Sequence, residues 1–377
     1  MSDHQQQDRT APRHMAARDG DRARGADTVA GVPLQPPTPR PVFIARVVVG
    51  VVLTAAALYA PFYFTPSDNR LLSEALYLAV AAMGLNLLTG FTGQVSIGHG
   101  AFFGFGAFAS ATLVDDYGWM FEATIPVVAL LTAVVGLLVG FPALRVRGLY
   151  LALVTLGLAV LFPQVADKYA TRGDGRNIPA IRPDRDSFDS LLEGLENDQW
   201  KYYVCLVTLV VLFFAAWNLT RARPGRAMIA VREQELAAAT VGVNLSATKL
   251  WTFALSAAYA GVAGALSVMI EGNASATNPA LYFQLSIEFL VAVVIGGTAT
   301  ILGPLVGALL VVVLRRNAEE LVSGEPMLSP ALFGGALILL VYVLPDGVVG
   351  GVRRLFARLG RRWATYELAP DPLSRSA

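Results

Sequence analysis

The chain has 377 residues, 55% of them hydrophobic and only 15% charged, with a mean hydropathy of +0.54 and a formal net charge of +1. A soluble domain carries about 25% charged residues because its surface meets water, so this deficit excludes a water-soluble globule and sets most of the surface against lipid. The balanced charge offers no footing for nucleic acid, and a single cysteine, Cys205, excludes an intrachain disulfide.

Residues 1–41 are polar and aromatic-poor and end in the Pro-rich run VPLQPPTPRP. That composition cannot bury enough apolar surface to fold and predicts a disordered arm. No apolar core behind a short basic start and no small-residue cleavage site mark it as a signal peptide.

A membrane-spanning helix needs about 20 apolar residues. Stretches that meet or approach this lie at 44–64, 71–88, 98–114, 124–141, 149–166, 202–219, 250–270, 284–298, 300–315 and 330–347. They predict an all-α integral membrane protein of about ten transmembrane helices over 42–352. Orientation follows from Arg and Lys near span ends. Arg40 and Arg46, then Arg145 and Arg147, then Arg221, Arg223, Arg226, Arg232 and Lys249, and finally Arg353, Arg354, Arg358, Arg361 and Arg362 all fall on one side when ten spans are drawn. Both termini are therefore expected in the cytoplasm, with 353–377 a basic cytoplasmic tail. The loop 167–200, carrying Asp174, Asp184, Asp186, Asp189, Glu193, Glu196 and Asp198, is expected outside. Arg315 and Arg316 are exceptions, with Glu319, Glu320 and Glu325 nearby to offset them.

Two hairpins are short and broken by glycine. In the first, TGFTGQVSIGHG places Gly90, Gly93, Gly98 and Gly100 within eleven residues. Each glycine weakens a helix by nearly 1 kcal/mol and lets backbones approach closely. In the second, Ile287 to Leu314 is almost wholly apolar, about 42 Å as one straight helix. That is too long for one span, and Gly296, Gly297, Gly303 and Pro304 interrupt it. Two short spans with a tight turn, or a re-entrant pair, fit the pattern. Interrupted segments at matching places in two halves point to a transport pathway, while close packing alone is the competing reading. Asn86, Thr89, Gly90, Gln94, Ser96, His99, Gly296 and Gly297 are the pathway candidates.

Intramembrane ionisable groups default to function, but Glu74 and Glu288 lie within a turn or two of span ends, which favours a wet or interfacial position. For His99 a solvated or hydrogen-bonded imidazole outweighs a metal ligand, because the other histidines, His4 and His14, stand in the arm. No metal, cofactor or catalytic residue is expected.

The loop 221–249 reads as helix, glycine, helix: helix formers dominate from Arg226 to Val241, Gly242 ends the run, and Asn244 to Thr248 can start another. It is too polar to insert in lipid, and its Ala-rich face suits a partner's groove.

GLNLLTGFTGQVSIGHGAFFGFGAFASATL (84–113) closely resembles the first hallmark of branched-chain amino acid ABC-importer permeases. RPGRAMIAVREQELAAATVGVNLSATKLWTFALSAAYAGVAGAL (223–266) resembles their second, a degenerate form of the loop through which such permeases engage their ATPases. SIEFLVAVVIGGTATILGPLVGALLV (286–311) and LPDGVVG (344–350) match two more, and TRGDGRNIPAI (171–181) resembles a Gly-rich outer loop in which Arg172 replaces the usual Gly. The resemblance covers about 44–352 in order. The arm and the acidic stretch 182–200 have no counterpart in it.

The resemblance implies a ten-helix permease of the vitamin-B12-importer-like fold in the bacterial plasma (inner) membrane. Its implied partners are a second permease subunit, two cytoplasmic ABC ATPases, an extracytoplasmic substrate-binding protein and membrane lipid, with no nucleic acid. Arg226, Arg232, Glu235 and Gly242 become the ATPase-coupling candidates, the charges pairing with the partner. The chain has no G-x-x-x-x-G-K-[ST] phosphate loop, so hydrolysis of ATP would fall to other chains and this one is not expected to be an enzyme. The similar urea and amide permeases leave the substrate open between those and branched-chain amino acids. An ion-coupled secondary transporter would need mid-membrane carboxylate or His relays, for which Glu74 and Glu288 are few and badly placed.

Overall fold

The computed structural model describes residues 28–29, 32–33, 52, 54–143, 149–170, 180–183, 188–190, 195–275, 280–322, 328–344, 347–351 and 354. The start of the first expected span lies outside these residues. So do Arg145 and Arg147, the outer glycine loop 171–179, the acidic residues Asp184, Asp186 and Glu193, and the tail from Leu355. The chain divides into two units after Ala60. In the first, the expected arm holds two short strands, β1 (Thr28–Val29) and β2 (Val32–Pro33), paired antiparallel with Thr28 opposite Pro33. Residues 54–60 are helical.

The second unit is nearly all helix. α1 (Pro66–Leu85) starts where the sequence says a helix can start: the Thr65 hydroxyl accepts the Asp68 N–H at 3.4 Å and Pro66 opens the first turn. It continues into a π-helical turn, Asn86–Phe91. α2 (His99–Asp115), α3 (Phe121–Ala143) and α4 (Leu149–Ala170) follow. α5 (Asn197–Arg221) opens on a capping box between Glu196 and Gln199. Two short helices, α6 (Arg223–Glu233) and α7 (Glu235–Thr240), lead to α8 (Leu245–Glu271), capped by the Asn244 side chain on the Ala247 N–H at 3.0 Å. α9 (Leu281–Gly296), α10 (Gly303–Leu321) and α11 (Leu328–Val343) complete the described helices. Apart from α6 and α7, which lie in the polar 221–249 loop, the helices from α1 to α11 coincide with the second to tenth apolar stretches of the sequence.

Among the described residues, six helices are long and apolar enough to cross a membrane, and α9 is apolar but shorter. The centre of the unit is α8, 89% of whose apolar stretch is buried, packed against α1, α2 and α3. Ala254, Ala257, Ala260, Gly261, Ala263 and Gly264 give it so small a profile that three helices can close on it, the mode of association open to helices that gain nothing by leaving lipid. α1 contributes Leu78, Val80, Met83 and Leu85 to the same core, and the Tyr259 hydroxyl donates to the Leu212 carbonyl at 2.8 Å to attach α5. By contrast, α11 has no buried residue among those described.

Two ends of this bundle are tied differently. At one, the α1–α2 connection, the α9–α10 turn and α6 meet through hydrogen bonds. At the other, ion pairs join Arg70 to Glu271 at 2.5 Å and Arg316 to Asp68 at 2.6 Å. There too β3 (Ala180–Ile181) pairs antiparallel with β4 (Ala274–Ser275), just beyond the end of α8.

Candidate functional site: the two broken hairpins and the loop beneath them

The chain is not helical through 93–98, yet Gln94, Ser96 and Gly98 there are buried, as is Thr92 just before them. Buried irregular backbone needs internal partners for its polar groups, and side-chain hydroxyls supply several of them. The Ile97 N–H donates to Thr155 Oγ1 at 3.1 Å, Thr92 Oγ1 donates to the Leu88 carbonyl at 2.5 Å, and Thr89 Oγ1 donates to the Gln94 carbonyl at 3.1 Å. Gln94 Nε2 reaches Thr92 Oγ1 at 3.3 Å. Gly93 and Val95 face outward.

His99 opens α2 and is 1% exposed. Its Nε2 lies 2.5 Å from Ser256 Oγ, and its Nδ1 3.0 Å from Ser96 Oγ. Ser256 donates its own proton to the Gly84 carbonyl at 2.6 Å, so it accepts from His99, and Nε2 carries the hydrogen. Nδ1 then accepts from Ser96, whose oxygen takes the Gly98 N–H at 3.4 Å. A single directional chain thus runs from the loop through His99 to α8 and α1 and requires the neutral Nε2–H tautomer. Of the expected environments for His99, the hydrogen-bonded one holds and the solvated one does not. Ser256 stands 157 residues away, beyond any spacing argument.

The two hairpins meet. Asn86 Nδ2 donates to the Thr300 carbonyl at 2.8 Å and its Oδ1 accepts the Ala299 N–H at 3.0 Å. Asn86 therefore bridges the π-helical turn and the 297–302 turn. Ala299 sits at φ 57, the one non-glycine residue at positive φ among those described, two residues after Gly297 at φ 114. Gly296 packs on the backbone of Gly303. The N-terminus of α2 also touches α9: the Gly100 N–H donates to Ser286 Oγ at 2.8 Å, and a Cβ at Gly100 would strike the Tyr282 carbonyl oxygen. Only glycine permits that approach. Of the sequence-designated residues, Asn86, Gly90, Gly296 and Gly297 converge, while Thr89, Gln94, Ser96 and His99 build and anchor the connecting segment.

The 221–249 loop differs from expectation in one respect. The helix expected from Arg226 to Val241 is interrupted at Gln234, which is extended at φ −159, ψ 107. Gln is a good helix former, so local propensity does not cause the break. α6 buries Met228 and Val231 against the body, and Lys249 pairs with Glu235 at 2.6 Å, which holds α7 to the start of α8. Satisfying both contacts requires the bend. Gly242 lies at φ 87 and closes the second bend, where a side chain would be strained. Glu235 and Arg232 have partners within the chain, since Arg232 Nη1 donates to the Gly90 carbonyl at 2.7 Å. Arg226 is exposed and reaches the Arg221 carbonyl at 3.2 Å. Leu236 and Val241 are 78% and 77% exposed on the same loop.

One charged cluster was not foreseen as a unit. Arg315 of α10 donates to Glu74 of α1 and, at 3.3 Å, to Glu288 of α9, whose other oxygen accepts Gln284 Nε2 at 3.1 Å. Glu288 is 4% exposed at its side chain, so its expected wet position is corrected: the guanidinium replaces water. The three residues are each anomalous in the sequence, a cation and two carboxylates set in apolar helices, and the need of each for an opposite charge is the signal that could have joined them. Arg316 is offset by Asp68 as well as by Glu320.

The family described as "Branched-chain amino acid transport system / permease component" matches residues 69–341. The high-affinity branched-chain amino acid transport system permease protein LivM of Escherichia coli K12 is 31% identical over 320 residues, covering 79% of this chain and 74% of its own. The high-affinity branched-chain amino acid transport system permease protein BraD of Pseudomonas aeruginosa is 26% identical, covering 72% of this chain and 91% of its own. LivH of Escherichia coli K12 is 27% identical with the same coverage. No solved structure matches the chain. The matched span takes in both broken hairpins, the Asn86 bridge and the α6–α7 loop between them, and over it this chain belongs to the family of branched-chain amino acid transport system permease components.

Proposed function

We propose that this chain is a permease subunit of an ATP-binding-cassette importer and forms part of the translocation pathway for branched-chain amino acids across the bacterial inner membrane. The observation that carries this reading is the family relation over 69–341, which includes a polar two-helix loop with exposed Leu236 and Val241 at the end of the bundle where both hairpins turn. The reading has ten spans with cytoplasmic termini in a vitamin-B12-importer-like fold, the α6–α7 end inside and the Arg70–Glu271 end outside. Residues 1–41 and 353–377 are cytoplasmic, 42–352 is the transmembrane domain, and 167–200 is external.

In this arrangement Val95 faces the pathway, Gly93 lies against Arg232 of the loop, and Gln94, Ser96 and His99 hold their segment in place from behind. Asn86 keeps the Gly296–Gly297 turn against Gly90, so the two turns close the pathway together on the cytoplasmic side. Thr89 secures the segment's first bend. Leu236 and Val241, with Arg226 at the rim, meet a groove on an ATPase, and Gly242 sets the angle between that contact and α8. Two ATPases, a second permease subunit and an extracytoplasmic binding protein complete the assembly.

The test is co-expression with the candidate ATPases, partner permease and binding protein, followed by reconstitution in lipid. ATP hydrolysis should rise with leucine, isoleucine or valine. A rise with urea instead would assign the chain to amide transport, and uptake driven by an ion gradient without ATP would overturn the reading.

A further inference from the structure

We propose that Arg232 is the link through which movement of the α6–α7 loop reaches both broken hairpins, an inference that rests on that loop being the ATPase contact. Arg232 lies in the last turn of α6, one residue beyond the buried Val231. Its guanidinium leaves the loop and donates to the Gly90 carbonyl at 2.7 Å. Gly90 belongs to the π-helical turn, and single π-helical turns within α-helices occur frequently at functional sites. Asn86 begins the same turn and makes both of its hydrogen bonds to the α9–α10 turn, at Ala299 and Thr300.

Three segments far apart in sequence are therefore joined in series: α6, the π-helical turn, and the 297–302 turn with its positive-φ Ala299. Arg232 is the charged member of the series, and like Asn86 it donates to a backbone carbonyl, which no side-chain substitution removes. The extended Gln234 follows at once. It separates the docked α6 from α7, so a push on the exposed α7 side turns α6 as a lever about the bend. Arg232 is a positioning residue in this scheme and touches no substrate.

The geometry supplies its own test. A Cβ built on Gly93 would lie 3.7 Å from the Cβ of Arg232, within the 3.5–4.5 Å that a disulfide spans; Gly93 is at φ 72, so a side chain there is strained and Gly93→Cys alone sets the baseline for the double variant. In the reconstituted full complex, Arg232→Ala is expected to assemble with the ATPases and hydrolyse ATP, with leucine taken up per ATP falling about tenfold. Arg232→Lys, which keeps a donor on a shorter head, should recover part of it. The double variant Gly93→Cys/Arg232→Cys should be uncoupled when reduced and regain coupling when copper–phenanthroline in air oxidises the two thiols to a disulfide. Gly93→Cys alone should not respond to the oxidant. Equal coupling in the oxidised and reduced double variant would overturn the proposal, as would full coupling by Arg232→Ala. Loss of ATPase co-purification by Arg232→Ala would also overturn it, by making the residue a docking contact. A wild-type complex whose hydrolysis ignores every amino acid would overturn the transport reading and the link together, whereas the other outcomes overturn the link alone.

Discussion

Replacing Arg315 with methionine should be among the most damaging single changes in the transmembrane domain. Arg315 holds Glu74 and Glu288 at once, with side-chain exposures of 26%, 19% and 4% respectively. Methionine keeps much of the packing volume and removes the charge, which leaves Glu288 with Gln284 Nε2, at 3.1 Å, as its remaining donor. Breaking a buried pair by deleting one partner destabilises by about 3–5 kcal/mol, because the other charge is left without compensation. Glu74, more exposed, can relax toward solvent and adds less. The triple variant Arg315→Met/Glu74→Gln/Glu288→Gln removes every charge, and since apolar or neutral replacements of buried ion clusters are often neutral or better, it should recover most of the loss. Thermal unfolding of detergent-solubilised protein, followed by tryptophan fluorescence, measures this ordering. Arg315→Met should melt roughly 10 °C below wild type, at a few degrees per kcal/mol for a domain of this size, with Glu288→Gln and the triple variant between them. If the triple variant melts as low as Arg315→Met, the loss comes from packing and the electrostatic argument fails.

Gly242→Val should uncouple ATP hydrolysis from uptake at matched expression, because a β-branched residue at φ 87 is strained by about 1–3 kcal/mol and would redirect the start of α8; full transport would leave the loop without its assigned role. Arg226→Ala should be mild, since its visible partner is a neighbouring carbonyl in solvent. Gly100→Leu should abolish uptake by forcing α2 off α9 at Tyr282, and Gly297→Leu by distorting the turn that Asn86 holds; normal uptake by correctly inserted protein would refute the pathway role, and lost insertion would make packing their whole purpose. Single cysteines at Asp189 and Leu236, with native Cys205 buried, should react with an impermeant maleimide from opposite sides of the membrane; labelling of both from outside would sink the topology.

The sequence alone determined the class, the helices and their approximate limits, because span length and apolarity are local properties that lipid imposes on each segment separately. It also marked the interrupted hairpins, since glycine density is legible without knowing what the glycine touches. Gly242 could be placed at a bend from its position after a run of helix formers. Partners across the bundle were a different matter. Asn86 with Thr300, His99 with Ser256, Arg232 with Gly90, and Arg315 with Glu74 are separated by 142 to 241 residues, and neither periodicity nor spacing carries information over that distance. Spacing along a polar loop could not show that Arg232 reaches the Gly90 carbonyl or that Glu235 pairs with Lys249, although Arg232 remains exposed and Glu235 partly so. The break at Gln234 exists only because two tertiary contacts, one on each side, outweigh the helical preference of the residue between them. Local chemistry set what each segment is, and the close approach of small-residue helices around α8 decided which polar groups lose water and must find one another.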